Sequence, residues 1–257
     1  MILAVLQARM SSSRFPGKVL RPLLGEPMLF RQIERVRRAG SIDELVVATS
    51  SDASDQPLAD ACAARGITAT RGSLNDVLER FLTAARPFAP EAVVRLTGDC
   101  PLADPAVIDA VVARFRAGAC DYASNVEPAT YPDGLDVEVV RMSALERAHR
   151  DARLPSEREH VTPYVRSHPE IFPRANVAHA VDLSHLRWTV DEPADLAFVE
   201  EIYRRLYPAN PAFGMADILE LLDRDPKLAD INAGFERNAG MAKSLAEDQD
   251  FIRRTGD

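Results

Sequence analysis

The chain has 257 residues, 46% of them hydrophobic and 27% charged, and a formal net charge of −8. This composition is typical of one large globular domain, and the negative charge argues against a general nucleic-acid binder, which needs a dense basic face. No apolar run reaches the roughly 18 residues of a membrane-spanning helix, and the apolar N-terminus has neither a basic region nor a cleavage site. We therefore predict a cytoplasmic protein that binds neither nucleic acid nor membrane.

Strand and helix patterns alternate along the first 117 residues. Apolar, β-prone runs predict strands at residues 1–7, 45–49, 67–70 and 92–96. Helical spacing of apolar residues predicts helices at 27–39, 56–65 and 105–117, with a further helix opening after a loop at 71–75. Short loops between such elements indicate βαβ units and a mostly parallel, doubly wound α/β sheet.

The second half of the chain has a different pattern. Strands are predicted at 121–125 and 135–141 on either side of a Pro-Asp-Gly turn, which indicates a small inserted β hairpin or arm at about 121–141. Further predicted elements are helices at 142–152, 157–167, 193–207 and 215–222, and short strands at 176–180 and 186–189. We predict a main domain over residues 1–232, and a helical or mobile tail over 233–257.

The segment LAVLQARMSSSRFPGKVL, residues 3–20, combines a strand, a hydroxyl-rich turn, two arginines and a lysine. Free backbone N–H groups and converging cations are what a phosphate-bearing ligand requires. Lys18 is one of three lysines among 31 basic residues, so a lysine here is informative. In a parallel sheet this loop, the loop at 71–75 and the loop at 97–104 would meet at the carboxyl edge of the strands, where ligands bind.

Two aspartates follow predicted strands and could complete that site. Asp99 lies in TGDCPL and Asp191 in TVDEP. Together they could share a divalent cation, because Mg²⁺ is usually held by one or two carboxylates and by substrate phosphates. By spacing alone, however, Gly-Asp is also a common turn and TVDEP a common helix start, so both interpretations stay open.

Six motifs in order give the chain a family resemblance: QARMSSSRFPGK, RGSLNDVLER, LTGDCPLAD, YPDGLDVEVV, EREHVTPY and RWTVDEPADL. They resemble the cytidylyltransferase superfamily that makes CMP-activated acidic sugars, and in particular its SpsF-type branch of spore-coat polysaccharide biosynthesis. The resemblance implies a three-layer α/β/α nucleotide-diphosphosugar-transferase-like fold. It also implies a Mg²⁺-dependent enzyme that acts on CTP and a small acidic sugar, and that forms a homodimer through the inserted arm.

The resemblance assigns roles to individual residues. It implies that Lys18, Arg9 and Asp99 are catalytic, that Asp99 and Asp191 bind Mg²⁺, and that a third group faces the acceptor sugar. The acceptor group comprises Asp133, Asp136, Glu138 and His160, and the nucleotide-binding group comprises Ala8, Arg9, Ser12, Arg14, Lys18, Arg71 and Ser73. His160 and Asp136 each also have an ordinary structural interpretation, as a packed helix residue and a turn residue.

The implied reaction is attack by a sugar hydroxyl on the α-phosphorus of CTP with release of pyrophosphate. Two alternatives remain at this point. A glycosyltransferase on the same scaffold usually carries an Asp-x-Asp motif after a central strand, which Gly98-Asp99-Cys100 does not match. A catalytically silent nucleotide-binding protein would keep the fold without turnover, and the presence of Lys18, Asp99 and Asp191 argues against it.

Overall fold

The apolar run at the N-terminus forms the central strand of the protein. In the computed structural model, Ile2–Gln7 is strand β1, and both of its faces are buried. Its side chains alternate between two hydrophobic layers, with Ile2 and Leu6 in one and Leu3 and Val5 in the other. Because a strand buried on both faces needs cover on both sides, this run alone requires a layer of helices above and below the sheet.

The structure describes residues 1–235, 237 and 239–256. The remaining strands are β2 (Pro22–Leu23), β3 (Glu26–Pro27), β4 (Glu44–Ser50), β5 (Ala69–Gly72), β6 (Ala92–Thr97), β7 (Tyr122–Ser124), β8 (Glu138–Arg141) and β9 (Arg174–Asn176). The helices are α1 (Met28–Val36), α2 (Gln56–Ala63), α3 (Val77–Ala85), α4 (Pro105–Ala117), α5 (Met142–Asp151), α6 (Pro155–His160), α7 (Pro163–Ser167), α8 (Pro193–Leu206), α9 (Met215–Arg224) and α10 (Ala239–Thr255).

In this part of the chain the main sheet has seven strands in the order β5-β4-β1-β6-β8-β7-β9. The pairs β5–β4, β4–β1, β1–β6 and β7–β9 are parallel, and β8 pairs antiparallel with both β6 and β7. Helices α1, α4 and α8 pack against one face, and α3, α5 and α7 against the other. The predicted three-layer, mostly parallel α/β fold is confirmed.

The two strands expected around the Pro-Asp-Gly turn pair with each other, as predicted. However, β8 also pairs with β6 and β7 with β9, so the segment extends the central sheet and does not project from it as an arm. Only the connection between β7 and β8 leaves the sheet. The two ends of this connection are held together by Asn125, whose side-chain amide donates to the carbonyl of Leu135 and accepts a hydrogen bond from Val137 N–H.

Three local predictions need correction. The segment 186–189 is not a strand but a single bridge between Asp133 and Arg187, because Trp188 N–H donates to the Asp133 carbonyl and Val190 N–H to the Asp99 carbonyl. The helix expected over 157–167 is broken at Val161, whose φ is 75°, and restarts at Pro163. The loop expected at 71–75 begins two residues later, since Arg71 and Gly72 end β5.

The C-terminal segment is helical over Ala239–Thr255, which is one of the two predicted states of the tail. It is fixed against α6 by hydrogen bonds from Ser156 N–H to Asp248 and between His160 and Ser244. Positions 236, 238 and 257 of the predicted tail lie outside the described residues. Within the described part of the chain, no helix is both long enough and apolar enough to cross a membrane.

Candidate active site

The site is organised around the ammonium group of Lys18. This residue follows Gly17, which has a left-handed φ of 73°, and its side chain is buried with a residue exposure of 7%. Its Nζ donates to Asp99 Oδ2 at 3.0 Å, to Asp191 Oδ1 at 2.8 Å and to the carbonyl of Val190 at 2.8 Å. One side chain therefore joins the loops that follow β1 and β6 to the segment before α8, and uses the three donors of an ammonium group.

The charges of this cluster stabilise each other. Burial alone would lower the pKa of Lys18, but Asp99 and Asp191 outweigh it, and the pKa lies above its ordinary value. Burial would likewise raise the pKa of Asp99, but the Lys18 charge and a hydrogen bond with Thr97 lower it to about 2. Both groups are thus ionised at neutral pH, and two carboxylates face one ammonium.

The two loops of this cluster approach closely because residue 98 is a glycine. A Cβ added to Gly98 would lie 2.9 Å from the Cβ of Ala8 and 3.0 Å from the carbonyl oxygen of Gln7. Gly98 N–H also donates to that carbonyl at 2.7 Å. The glycine of the TGDCPL motif thus brings Asp99 next to the phosphate-binding candidate loop.

Two arginines contact the same oxygen of Asp191. Arg14 Nη2 lies 2.8 Å from Asp191 Oδ2, and Arg187 Nη2 lies 3.3 Å from the same oxygen. Arg187 also contacts Asp195 at 2.8 Å and Asp133 at 3.3 Å. The predicted phosphate ligand Arg14 is therefore next to the predicted metal ligand Asp191.

The serine-rich loop is held by an acid that sequence reasoning missed. Asp55, which is fully buried, accepts hydrogen bonds from Met10 N–H at 2.6 Å and from Ser50 N–H at 3.1 Å, and it also contacts the Ser50 hydroxyl. The signal in the sequence was that Asp55 follows β4. This places it at the carboxyl edge of the sheet, where a side chain can contact the neighbouring loops. Asp55 fixes the start of the loop that carries Arg9, Ser12 and Arg14.

Arg80 is a second missed residue. It is only 1% exposed and donates to the carbonyl of Ser73 at 2.6 Å. Its Nε has no hydrogen-bond partner among the described residues. Burial, and then the charge of Arg9, lower the pKa of Arg80 to about 10, so it remains a cation at neutral pH. An arginine on the apolar face of the predicted helix at Val77 was the available signal.

A cleft of about 1020 Å³ runs along the carboxyl edge of the sheet and connects these residues. Its wall includes nearly all the residues that the sequence predicted for the site, from both the nucleotide and the acceptor groups: Ala8, Arg9, Ser12, Arg14, Lys18, Asp99, Asp133, Asp136, Glu138, His160 and Asp191. Arg9 makes no ion pair with any described residue, so its guanidinium is available for a ligand.

The structure places Arg71 and Ser73 elsewhere. Arg71 donates to the carbonyls of Ser50 and Asp52 and contacts Gln56, because it lies on the edge strand β5 and turns toward the loop after β4. The hydroxyl of Ser73 accepts from Asp76 N–H. Neither residue is part of the cleft wall, and that part of the wall is formed instead by Leu74, Asn75, Asp76, Val77 and Arg80.

Glu138 belongs to the predicted acceptor group and lies on the cleft wall, where three donors contact its carboxylate. Its carboxylate accepts from Arg95 at 2.6 Å, from the Thr162 hydroxyl at 2.6 Å and from the Tyr122 hydroxyl. Burial would raise its pKa, but Arg95 and the hydroxyl donors outweigh burial and hold the pKa below its usual range. Glu138 therefore stays ionised and fixes the surrounding side chains.

His160, also of the predicted acceptor group, connects the cleft wall to the C-terminal helix. Its Nε2 lies 2.9 Å from the Ser244 hydroxyl, which also donates to Glu159. Burial, and then the charge of Arg95, lower the pKa of His160. The ring is thus neutral at physiological pH.

Asp136 differs from the other carboxylates of the cleft. Burial raises its pKa to about 7, although its Oδ1 lies 2.5 Å from Nη2 of Arg237, which reaches over from the C-terminal segment. Arg237 also donates to the carbonyl of Tyr131 at 3.1 Å. Arg237, which lies in the sequence INAGFERNAG, was not among the predicted site residues.

The arrangement favours a ligand with several phosphates. Within the described residues, no group of three or more His, Cys, Asp or Glu side chains is placed to hold a metal ion. Asp99 and Asp191 share only the Lys18 ammonium. The two carboxylates converge on a single cation, the Lys18 ammonium, and such a pair also suits Mg²⁺. Mg²⁺ is commonly bound by one or two carboxylates, with substrate oxygens completing its coordination.

Comparisons with known proteins show which family this chain resembles over most of its length. Residues 3–204 match the model of the family described as Cytidylyltransferase. The chain is 34% identical to the spore coat polysaccharide biosynthesis protein SpsF of Bacillus subtilis over 237 residues, 89% of this chain and 96% of that protein. The structure of a cytidylyltransferase from Leptospira borgpetersenii superimposes with a TM-score of 0.85 at 30% identity, covering 92% of this chain and 99% of that one.

A more distant solved structure shares the fold. CMP:2-keto-3-deoxy-manno-octonic acid synthetase, solved in complex with CTP, superimposes with a TM-score of 0.62 at 21% identity. The superposition covers 79% of this chain and 98% of that one.

Proposed function

The chain belongs to the cytidylyltransferase family, and from this we propose that it transfers the cytidylyl group of CTP to a hydroxyl of an acidic sugar, releasing pyrophosphate. The product, a CMP-sugar, would supply surface polysaccharide or glycan synthesis. The likeness to SpsF supports the polysaccharide context. The shared fold with a synthetase that was solved with CTP, and whose name includes an acidic sugar, supports both substrates.

The observation that carries this proposal is the Lys18 cluster. One buried ammonium and two carboxylates lie at the carboxyl edge of the sheet, with Arg9, Arg14 and Arg80 on the wall of the same cleft. A triphosphate carries several negative charges, which these cations would offset. Transfer of a nucleotidyl group depends mainly on such positioning and charge stabilisation, so no covalent protein nucleophile is required.

In the proposed reaction, the acceptor hydroxyl attacks the α-phosphorus in line with the departing pyrophosphate. Arg9 and Arg14 would bind the departing phosphates and stabilise the charge that develops on them. Lys18 would exchange one of its present acceptors for a phosphate oxygen, because its three donors are all in use. Asp133, Asp136, Glu138 and His160 would face the sugar.

Asp99 and Asp191 would hold Mg²⁺ together with oxygens of the triphosphate. A metal ion bound there would supply charge neutralisation and Lewis-acid activation of the phosphate. The two carboxylates are suited to this role because Asp99 remains ionised, with a pKa of about 2. Arg14 and Arg187 hold the carboxylate of Asp191 in place.

The acidic character of the sugar is supported by the cations of the acceptor half. Arg95, Arg158 and Arg166 all contribute to that part of the cleft wall. Each has an acidic partner in the present structure, namely Glu138, Asp76 and Glu127. A sugar carboxylate could bind the guanidinium N–H groups that these three pairs do not use.

The proposal is tested by measuring pyrophosphate release with each of CTP, UTP, ATP and GTP, in the presence of Mg²⁺ and a panel of acidic sugars and sugar phosphates. We expect release with CTP and one class of acidic sugar, and no release without the sugar. Release that requires a nucleotide-sugar donor would support a glycosyltransferase instead. Tight CTP binding without release from any pair would favour a silent binding protein.

A further inference from the structure

The turn at residues 132–136, which carries Asp136, packs closely against residues 188–189 of the segment that leads to Asp191. Gly134, with a φ of 107°, lies so close to this segment that an added Cβ would be 2.5 Å from Thr189 N and 2.6 Å from the carbonyl carbon of Trp188. Trp188 N–H donates to the carbonyl of Asp133 at 2.6 Å. The acceptor wall therefore lies directly beside the Lys18 cluster.

A continuous series of ion pairs connects the two parts of the cleft. Lys18 contacts Asp191, Arg187 joins Asp191 to Asp133 with 3.3 Å on each side, and Arg237 joins Asp133 at 3.9 Å to Asp136 at 2.5 Å. Asp136 is the last acid of this series. It lines the same cleft as Lys18, Asp99 and Asp191, where the triphosphate is proposed to bind.

The two neighbouring carboxylates, Glu138 and Asp133, are each held by two or more donors or cations. Glu138 accepts from Arg95, Thr162 and Tyr122, and Asp133 is held by Arg187 and Arg237. Asp136 accepts only through Oδ1, and in the described part of the chain its Oδ2 receives no hydrogen bond. This leaves one carboxylate oxygen free to receive a proton.

The surroundings of Asp136 also suit proton transfer. Burial disfavours its charged form, Arg237 opposes this effect, and the like charges of Asp133 and Glu138 add to it, so that its pKa is about 7. Arg95 also lowers the pKa of Asp136, and the charge of Asp136 helps to raise the pKa of the buried Cys100 thiol. A base whose pKa lies near the working pH transfers protons most effectively.

We propose that Asp136 is the general base that takes the proton of the acceptor hydroxyl, and that Arg237 positions it from the C-terminal segment. This inference rests on the proposed function. As the hydroxyl oxygen forms its bond to the α-phosphorus, its proton passes to Oδ2 of Asp136, and the bond from the α-phosphorus to the bridging oxygen of pyrophosphate breaks. The proton is then released to solvent.

The direct test is the full-length Asp136→Asn variant, which keeps the side-chain shape and removes the basic oxygen. We expect kcat for pyrophosphate release to fall by about 10²- to 10⁴-fold, the usual range for loss of a general base, while the affinity for CTP alone is unchanged. The matched control is Asp223→Asn, an exposed carboxylate on α9 outside the cleft, which should react as the wild type does.

A second variant separates proton transfer from a structural role. In the wild type, kcat/KM for the acceptor should rise with pH through about 7. Arg237→Gln removes a cation that lowers the pKa of Asp136, so this rise should move to higher pH. A role limited to packing would change the rate without moving the pH profile.

Three results would overturn the inference, and they distinguish failure of the base from failure of the proposed function. Wild-type kcat in Asp136→Asn, or an unshifted pH profile in Arg237→Gln, would reject the base while leaving cytidylyl transfer in place. Absence of pyrophosphate release by the wild type with every nucleotide and acceptor would reject the proposed function and the base with it.

Discussion

At the scale of single residues, the use of lysine at position 18 has a geometric reason. The chain has arginine at almost all its basic positions, yet the group at the centre of the site is an ammonium. Its three acceptors, Asp99, Asp191 and the carbonyl of Val190, converge on one point. A compact ammonium with three rotatable donors fits such a point, whereas the planar fork of a guanidinium does not.

We predict that Lys18→Met impairs both activity and folding. Removal of the ammonium leaves Asp99 and Asp191 facing each other without their shared cation, and it removes one cation from the triphosphate site. We expect kcat to fall by at least ~10²-fold and the free energy of unfolding to fall by about 1–3 kcal/mol, less than for a fully buried pair because both carboxylates are partly exposed. Pyrophosphate release and denaturant unfolding measure the two effects.

Lys227→Met is the matched control for this substitution, because Lys227 is exposed and lies outside the cleft. Lys227→Met should change the free energy of unfolding by no more than ~0.5 kcal/mol. It should leave kcat close to the wild-type value. Full activity of Lys18→Met would remove Lys18 from the site.

At the scale of structural elements, the turn at residues 132–136 brings the predicted acceptor residues Asp133 and Asp136 against the segment that leads to Asp191. Gly134 is required there for two reasons: its φ of 107° disfavours other residues, and the backbone of Trp188 and Thr189 leaves no room for a Cβ. The same contact explains why residues 186–189 bridge to Asp133 and do not form a strand of the sheet. This element sets the separation between Asp133, Asp136 and Asp191.

We predict that Gly134→Ala destabilises the protein by about 2–4 kcal/mol, through backbone strain added to a backbone clash. Because the displaced turn also carries Asp133 and Asp136, kcat should fall as well. Gly66→Ala is the control, since Gly66 has a similarly positive φ of 64° but no atom within 4 Å of an added Cβ. It should cost only about 1 kcal/mol. Equal losses in the two variants would show that the contact with Thr189 is unimportant.

At the scale of the whole molecule, local sequence patterns predicted most of the fold. The runs that became β1, β4, β6 and α4 were predictable because an apolar strand buried on both faces and an amphipathic helix each have a distinct periodicity. The pairing of the segment at 121–141 was not predictable, since the sequence of a strand does not specify the strand with which it pairs. Its incorporation into the sheet beside β6 depends on long-range pairing.

The candidate site was predictable to the extent that its residues lie in loops after strands. Lys18, Asp99 and Asp191 were found in this way, because parallel strands bring their carboxyl ends together. Arg80, Asp55 and Arg237 were missed because their roles depend on tertiary contacts: a buried helix face, a loop anchor and a distant segment that returns to the cleft. The homodimer implied by the resemblance stays a prediction, which light scattering of the purified protein tests.

The pH dependence of stability is a property of the whole molecule to which Asp136 contributes in a specific direction. Its pKa in the folded protein is about 7, above the ordinary value of 3.8, so between these values the folded state binds the proton more tightly than the unfolded state. The free energy of unfolding should therefore decrease as pH rises from about 4 to 7 through this group. Asp99, whose pKa is lowered to about 2, acts in the opposite direction and loses its contribution only below about pH 4.

We predict that Asp136→Asn flattens the stability profile between pH 5 and 8. The amide carries no charge at either pH, so this position no longer lowers the free energy of unfolding as pH rises. The difference in stability between variant and wild type should therefore favour the variant more at pH 8 than at pH 5. Chemical denaturation of both proteins at the two pH values measures this difference. An unchanged slope would mean that Asp136 titrates near its ordinary pKa.

The central claim, transfer of a cytidylyl group, is tested most directly by ³¹P nuclear magnetic resonance of CTP incubated with the protein, Mg²⁺ and an acidic sugar acceptor. The account predicts that the three CTP signals are replaced by one phosphodiester signal and by pyrophosphate in equal molar amounts, and that both products are absent without the acceptor. Persistence of the CTP signals with every acceptor, or the appearance of inorganic phosphate in place of pyrophosphate, would contradict it.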